Sequence, residues 1–333
     1  MMNDNLDAVW VELETRMSNP KAGAQTMICP EFLYRIYAGV VGIPSKRYLV
    51  IEIPDSQKKD FDSFSVPKGI SLSIVDPIIK HSGFVACLLE ATSADQNDVF
   101  TIVAEDILNE LSKKDVDGFV AALKQRIEKW KDFFKNPERR QLSEEVVIGL
   151  IGELSLIEDL LEQGITYAAD LWNGPLKSAQ DFQGDDIALE VKTSCSSQVK
   201  TVKISSEIQL DDSGRSHLFL VINRLEHDDA FGRPLPEYVS SIYEKLPTQK
   251  KNLFLAKLKC LGYDHETSEI YTQAYSLKER FVYRVTEGFP RILPSDLKSG
   301  VTNVNYRVSL ANCEDYLSDL DQVIETIRMC EYG

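Results

Sequence analysis

Two hydrophobic periods alternate along this chain and divide it into elements. Leu6 to Arg16, with Val9, Trp10, Leu13 and then Met17 at helical spacing, predicts a helix that Asn19, Pro20 and Gly23 break. From about Met27 to Ala104 the pattern turns strand-like. Phe32–Tyr37, Arg47–Ile53, Ile70–Val75, Phe84–Leu89 and Val99–Ala104 are short apolar runs separated by Pro, Gly, Asp and Ser. Asp106–Leu111 and Asp117–Phe134 read as helices, the second with Phe119, Leu123, Ile127, Trp130 and Phe134 on one stripe. That stripe reads as packing surface rather than a base-stacking platform. Asn136-Pro-Glu-Arg-Arg140 combines a breaker with a charge run and marks the best boundary. The pattern thus predicts a β-rich N-terminal domain over 1–138, with helices at its ends, and a second domain over 139–333. The first carries no catalytic constellation; a structural or partner-docking role is its simplest reading, and DNA recognition is the alternative.

The second domain opens on a helix from the candidate cap Ser143 through Gln163, with Glu144 and Glu145 in its first turn and Gly164 at its stop. Leu150, Leu154, Ile157 and Leu161 form its apolar stripe, and Glu153 falls on or beside it. A buried carboxylate without a partner is expensive, so Glu153 either reaches solvent at the edge of the stripe or points at a cation. Ile187–Thr193 reads as a short strand, Val199–Ile204 as another, Ser205–Leu210 as the start of a short helix, and Ser216–Asn223 as a central strand buried on both faces. Pro236–Lys245 and Lys250–Leu261 follow as helices, Leu277–Thr286 and Val301–Leu310 as strands, and Cys313–Met329 as a closing amphipathic helix. The predicted class is α+β, with a mixed sheet flanked by helices in the second domain.

The chemistry concentrates around Asp181-Phe-Gln-Gly-Asp-Asp-Ile-Ala-Leu-Glu-Val-Lys192. Side chains alternate along a strand, so Ala188, Glu190 and Lys192 share one face while Leu189 and Val191 share the other. Asp181 can fold back towards them through the turn at Gly184, Asp185 and Asp186. Two carboxylates and an ammonium converging in this way can bind a hard divalent cation and position a water for attack on phosphate.

An Asp followed by a turn into a strand bearing Glu-x-Lys resembles the PD-(D/E)XK nuclease superfamily, here with Gln180 in place of the leading Pro. The words Gly149-Leu-Ile-Gly-Glu-Leu154, Leu171-Trp-Asn-Gly-Pro175, Glu190-Val-Lys-Thr193 and Ile204-Ser-Ser-Glu-Ile-Gln-Leu210 narrow the likeness. So do Gly288-Phe-Pro-Arg291 and Val304-Asn-Tyr306. Together they are similar to a bacterial family of PD-(D/E)XK-type proteins found in phage-defence neighbourhoods. The resemblance implies a restriction-endonuclease-like core and metal-dependent hydrolysis of DNA. It also implies Mg2+, with Mn2+ as an alternative, held by Asp181, Glu190 and the Val191 carbonyl with help from Glu153. Lys192 would orient or deprotonate the attacking water or offset transition-state charge, and the electrostatic role is expected because lysine is a cation near neutral pH. The resemblance brings Gln209 near the scissile phosphate or metal; Ser206 and Glu207 are weaker candidates, and Lys200 and Lys203 are candidate phosphate contacts.

Composition changes this picture in two ways. The 333 residues carry a net charge of -15, which argues against tight, non-specific DNA binding by the chain alone. A partner from the same defence system, or a bound metal, would offset it. The six cysteines lack CxxC or CxxH spacing and there are four histidines, so neither a zinc site nor a disulfide frame is expected, and reduced cytoplasmic thiols are. No apolar run is long enough to span a bilayer, and the N-terminus is acidic and polar. His265, between Asp264 and Glu266, reads as surface loop rather than metal ligand. Tyr275, Tyr283 and Tyr306, with Arg280, Arg284 and Arg307, offer a nucleic-acid surface, although strand-face packing explains the tyrosines more simply. A homodimer would suit cutting both strands of a duplex. The competing reading is a catalytically silent nuclease fold serving as a scaffold subunit.

Overall fold

Alternation and helical stripes are both visible in the computed structural model, which describes residues 6–30, 32, 34–61, 64–67, 69–79, 82–112, 116–134, 141–176, 178–184, 186–301 and 304–331. The breaker at 136–140 and Asp185 of the predicted turn lie outside these residues. The chain divides into two units, 1–139 and 140–333. The fold class is α+β.

The first unit contains α1 (Leu6–Arg16), β1 (Ala24–Ile28), β2 (Ile36–Val41), β3 (Lys46–Pro54), β4 (Ile70–Val75), β5 (Phe84–Ala91), α2 (Asn97–Leu111) and α3 (Val116–Phe134). Its five strands form an antiparallel sheet in the order β1-β2-β3-β5-β4. Trp10, Leu49, Phe100, Leu108, Phe119, Leu123 and Ile127 are buried in its core. The α3 stripe is therefore packing surface, and Tyr34 meets Phe119 edge-on with ring centroids 4.9 Å apart. The Phe134 side chain lies outside the described residues. Val99–Ala104, predicted as a strand, is helical. Its β-branched residues favour strand locally, but Phe100, Val103, Ala104, Ile107, Leu108 and Leu111 recur at helical spacing and are all buried. Packing overrode propensity.

The second unit contains α4 (Glu144–Glu162), α5 (Ala168–Leu171), β6 (Phe182–Gln183), β7 (Ile187–Ser194), β8 (Thr201–Ile204), β9 (His217–His227), β10 (Arg233–Pro234), α6 (Leu235–Lys245), α7 (Thr248–Leu261), β11 (Ala274–Arg284), β12 (Tyr306–Ser309), β13 (Leu317–Ser318) and α8 (Leu320–Glu331). The main sheet runs β10-β11-β9-β7-β6, with β13 beside β11. It is mixed: β7 and β9 are parallel, with Glu190 opposite Leu220 and Lys192 opposite Ile222, whereas β6–β7 and β9–β11 are antiparallel. One apolar layer joins Leu189, Val191, Phe219 and Val221 to the helices; the other joins Ala188, Leu218, Leu220 and Ile222 to the two-stranded β8–β12 sheet.

Two elements are shorter than their periodicity predicts. Ser205–Leu210 forms hydrogen-bonded turns, with Gln209 N donating to Ser206 O at 3.1 Å and Asp211 N to Ile208 O at 3.3 Å. The closing helix starts only at Leu320, where Asp319 caps it through the Gln322 N–H at 2.9 Å, because Leu317 and Ser318 pair with β11 instead.

Candidate active site

The site is built on β7 and on the segment that pairs with it. Phe182 stands opposite Leu189 and Gln183 opposite Ala188, so one step further along the antiparallel register sets Asp181 against Glu190. Opposed residues project to the same face with Cβ atoms about 5 Å apart. Asp181 is fixed there by the Val191 N–H, which donates to its Oδ2 at 2.8 Å, while its own carbonyl accepts from Asn173 N and Gly174 N at 2.6 and 2.9 Å. These bonds account for the word Leu171-Trp-Asn-Gly-Pro175: its backbone grips the acid.

Glu190 is 1% exposed, and neither carboxylate oxygen accepts a well-directed hydrogen bond. Its one near neighbour of opposite charge is Lys192, whose Nζ forms an ion pair with Oε1 at 2.7 Å. Lys192 Nζ also donates to Gln209 Oε1 at 3.3 Å, and that same oxygen accepts from Ser205 N at 2.7 Å. The alternation predicted for β7 is thus realised, and the turn after β8 brings Gln209 to the lysine.

Glu153 reaches the site from α4 because that helix lies close against β7. A Cβ at Gly152 would collide with Thr193 Oγ1, and Asn223 Nδ2 donates to the Gly152 carbonyl at 3.1 Å. Arg280 extends the contact: its Nε donates to Asn223 Oδ1 at 2.7 Å, one guanidinium nitrogen donates to Ser155 Oγ at 2.8 Å, and another pairs with Asp159. Glu153 Oε2 accepts the Trp172 indole N–H at 2.6 Å. Gly174 leaves room for that oxygen, since a Cβ there would strike it.

Electrostatics mark the cluster. Burial, then the Asp181 charge, push the Glu190 carboxyl up to about 8 against the opposing pull of Lys192. Burial and the Asp181 charge likewise hold Glu153 well above the usual carboxylate range, opposed by the Trp172 hydrogen bond. Asp181 is raised by burial, despite the Val191 N–H and Lys192. Three buried acids that resist ionisation, with Lys192 as the cation paired to them, form a site short of positive charge, and an oxygen-seeking divalent cation fits that donor set. Among the described residues, Glu153, Asp181 and Glu190 do not gather one oxygen each within 4.8 Å of one another; Asp186, His217 and Cys330 are the set that does.

Sequence reasoning missed the residues that hold this geometry. Gln180, in the place of the motif's Pro, is 2% exposed, and its Nε2 donates to Ile208 O at 2.9 Å, Asp211 O at 3.2 Å and Gln209 O at 3.4 Å. Arg291 donates to Leu210 O at 2.7 Å and to Asp212 Oδ2 at 3.1 Å. Glu207 accepts the Val304 N–H at 3.0 Å. Tyr306, on β12, has its hydroxyl sealed from solvent; burial raises its pKa, with the charges of Glu190 and Glu207 adding to the effect. The words Gly288-Phe-Pro-Arg291 and Val304-Asn-Tyr306 were the available signal for this shell, but a word assigns no contacts. Arg280 is withdrawn from any surface, while Tyr275 and Tyr283 are buried. Lys200, Lys203, Arg307 and His265 are exposed.

A family model described as "Putative PD-(D/E)XK family member, (DUF4420)" matches residues 6–311. The chain belongs to this family. The match spans both units, so the first unit is part of what defines the family rather than an appendage to a nuclease core. No curated protein and no solved structure matches the chain. No helix among the described residues is long and apolar enough to cross a membrane.

Proposed function

We propose that this DUF4420 protein is a metal-dependent DNA endonuclease acting in restriction or anti-phage defence in the cytoplasm. The observation that carries the reading is Glu190: a carboxylate 1% exposed, opposite Asp181, whose one charge partner is the Lys192 ammonium 2.7 Å from Oε1. Asp181, Glu190 and the Val191 carbonyl would hold Mg2+ or Mn2+, with Glu153 closing on the ion from α4. The ion would supply Lewis-acid polarisation of the phosphoryl oxygen and a more acidic water.

The chain's own groups divide the remaining work. Lys192 offsets charge developing on the phosphate and orients the attacking water. Gln209 fixes the direction of the ammonium, and Gln180 and Arg291 fix Gln209. Lys203 and Arg307 stand directly opposite each other on the exposed side of the β8–β12 sheet. Like charges so placed repel, and a DNA phosphate between them relieves the repulsion. Cutting both strands of a duplex calls for two centres, which a homodimer provides.

The net charge of -15 favours one competitor, a silent scaffold that reaches DNA through a defence-system partner. Supercoiled plasmid with Mg2+ or Mn2+ separates the two. The nuclease reading expects cleavage by wild type, loss of cleavage by at least a hundredfold in Lys192→Ala, and retained metal binding in that variant. Undiminished cleavage by Lys192→Ala would remove the lysine from the mechanism.

A further inference from the structure

We propose that Asp186, His217 and Cys330 form a binding site for one Zn2+ ion, separate from the nuclease centre. The three residues come from distant parts of the sequence: the turn before β7, the first residue of β9, and the last turns of α8. Folding brings one donor atom of each to within 4.8 Å of the other two, and all three side chains are partly buried. Asp186 lies four residues before Glu190, about 13 Å along the chain at strand spacing. The two sets of donors are therefore distinct.

The donor chemistry selects the ion. A thiolate, an imidazole and a carboxylate suit Zn2+ or Co2+ and discriminate against Mg2+, which prefers an all-oxygen octahedron. Tetrahedral zinc at bond lengths of about 2.0–2.3 Å sets donors about 3.3–3.8 Å apart, so closure of up to about 1.5 Å through side-chain rotation completes the set. A fourth position remains for water.

The surroundings are partly prepared for this. Ser216 N donates to Asp186 Oδ1 at 2.7 Å, and His217 N donates to the Asp186 carbonyl at 3.1 Å, so both oxygen and imidazole ligands sit on a fixed backbone. Cys330 forms no disulfide. Arg284 opposes the ion, with a guanidinium nitrogen 3.2 Å from His217 Nδ1. A guanidinium only donates, so this nitrogen accepts and the ring proton sits on Nε2. Zinc at Nδ1 replaces Arg284 directly, and zinc at Nε2 sends the ring proton to Nδ1, which also evicts Arg284; in both cases the thiol proton is released. Only an ion with high affinity for imidazole and thiolate overcomes both, which again favours zinc over magnesium. Bound there, zinc fastens α8 to the ends of the two parallel strands that carry the nuclease motif.

The test uses the full chain, stripped of metal by a chelator and kept in excess Mg2+. Co2+ is then titrated while the near-ultraviolet thiolate-to-cobalt charge-transfer absorption is followed. The expected result is one equivalent of Co2+ giving the band and one equivalent of Zn2+ abolishing it. Cys330→Ser should lack the band, and His217→Gln should bind at least tenfold more weakly. Asp181→Ala should keep the band, which makes the result independent of the nuclease reading. No band in wild type, or a band that persists in Cys330→Ser, overturns the site. Circular dichroism of each variant identifies any that fail to fold, in which case the His217→Gln titration decides.

Discussion

Glu190 shows most plainly how one residue ties burial to chemistry. With its carboxyl at about 8, most of it is protonated at pH 7 in the metal-free protein, whereas a metal ligand must be ionised. Metal binding at pH 7 should therefore release about one proton from Glu190, and a further one where Glu153, also raised, closes on the ion. Apparent affinity should rise about tenfold per pH unit below 8 and level off above it. Calorimetry in two buffers of different ionisation enthalpy counts the protons released, and equal heats in both would contradict the shift. Lys192 and Gln209 make a second prediction at this scale. Gln209→Ala should lower kcat with little effect on KM for DNA, because it frees the ammonium without removing a phosphate contact. The Asp181, Glu190 and Lys192 arrangement was legible in advance because strand alternation alone sets Glu190 and Lys192 side by side. Gln180 was not. Its three acceptors are backbone carbonyls at Ile208, Gln209 and Asp211, and no side-chain pattern announces a buried amide folding back on a turn.

At the scale of elements, α4 decides whether Glu153 reaches the site. Its inward side meets Thr193 at Gly152, and its other end is clamped by Glu158, which accepts from Arg233 Nη1 and Nη2 at 3.1 and 2.5 Å, from Lys245 at 3.0 Å and from Ser241. Burial raises the Glu158 pKa, but these hydrogen bonds outweigh it and hold the carboxyl at about 2. The sign follows from linkage. A depressed carboxyl stabilises the fold above its unfolded pKa near 4.3, and that stability is lost as pH falls towards about 2. Glu158→Gln should thus cost roughly 1–3 kcal/mol at pH 7, after allowance for solvent screening, and almost nothing near pH 2. Urea melts at the two pH values read the difference directly. Gly152→Ala should detach α4 from β7 and reduce cleavage more than it reduces overall stability. The helix itself was legible from Ser143, its apolar stripe and Gly164, whereas β-branched Val99–Ala104 misled because tertiary burial outweighed local preference.

For the whole molecule, the acidic total and the nuclease assignment are reconciled by locality. Lys203 and Arg307, paired across the β8–β12 sheet, are the local cations proposed to meet phosphate in a chain whose net charge is -15. Lys203→Ala and Arg307→Ala should each weaken DNA binding and reduce the slope of log affinity against log salt by about 1. An unchanged slope would move the DNA path away from the β8–β12 sheet. The division near residue 139 falls where the sequence places a breaker and a charge run, and the family match from 6 to 311 covers both units.

The most direct test of the account titrates Mg2+ or Mn2+ into wild type and Asp181→Ala and assays plasmid cleavage on the same samples. The account predicts metal binding and metal-dependent cleavage by wild type, with both lost in the variant. Cleavage that persists at the wild-type rate in Asp181→Ala would contradict it.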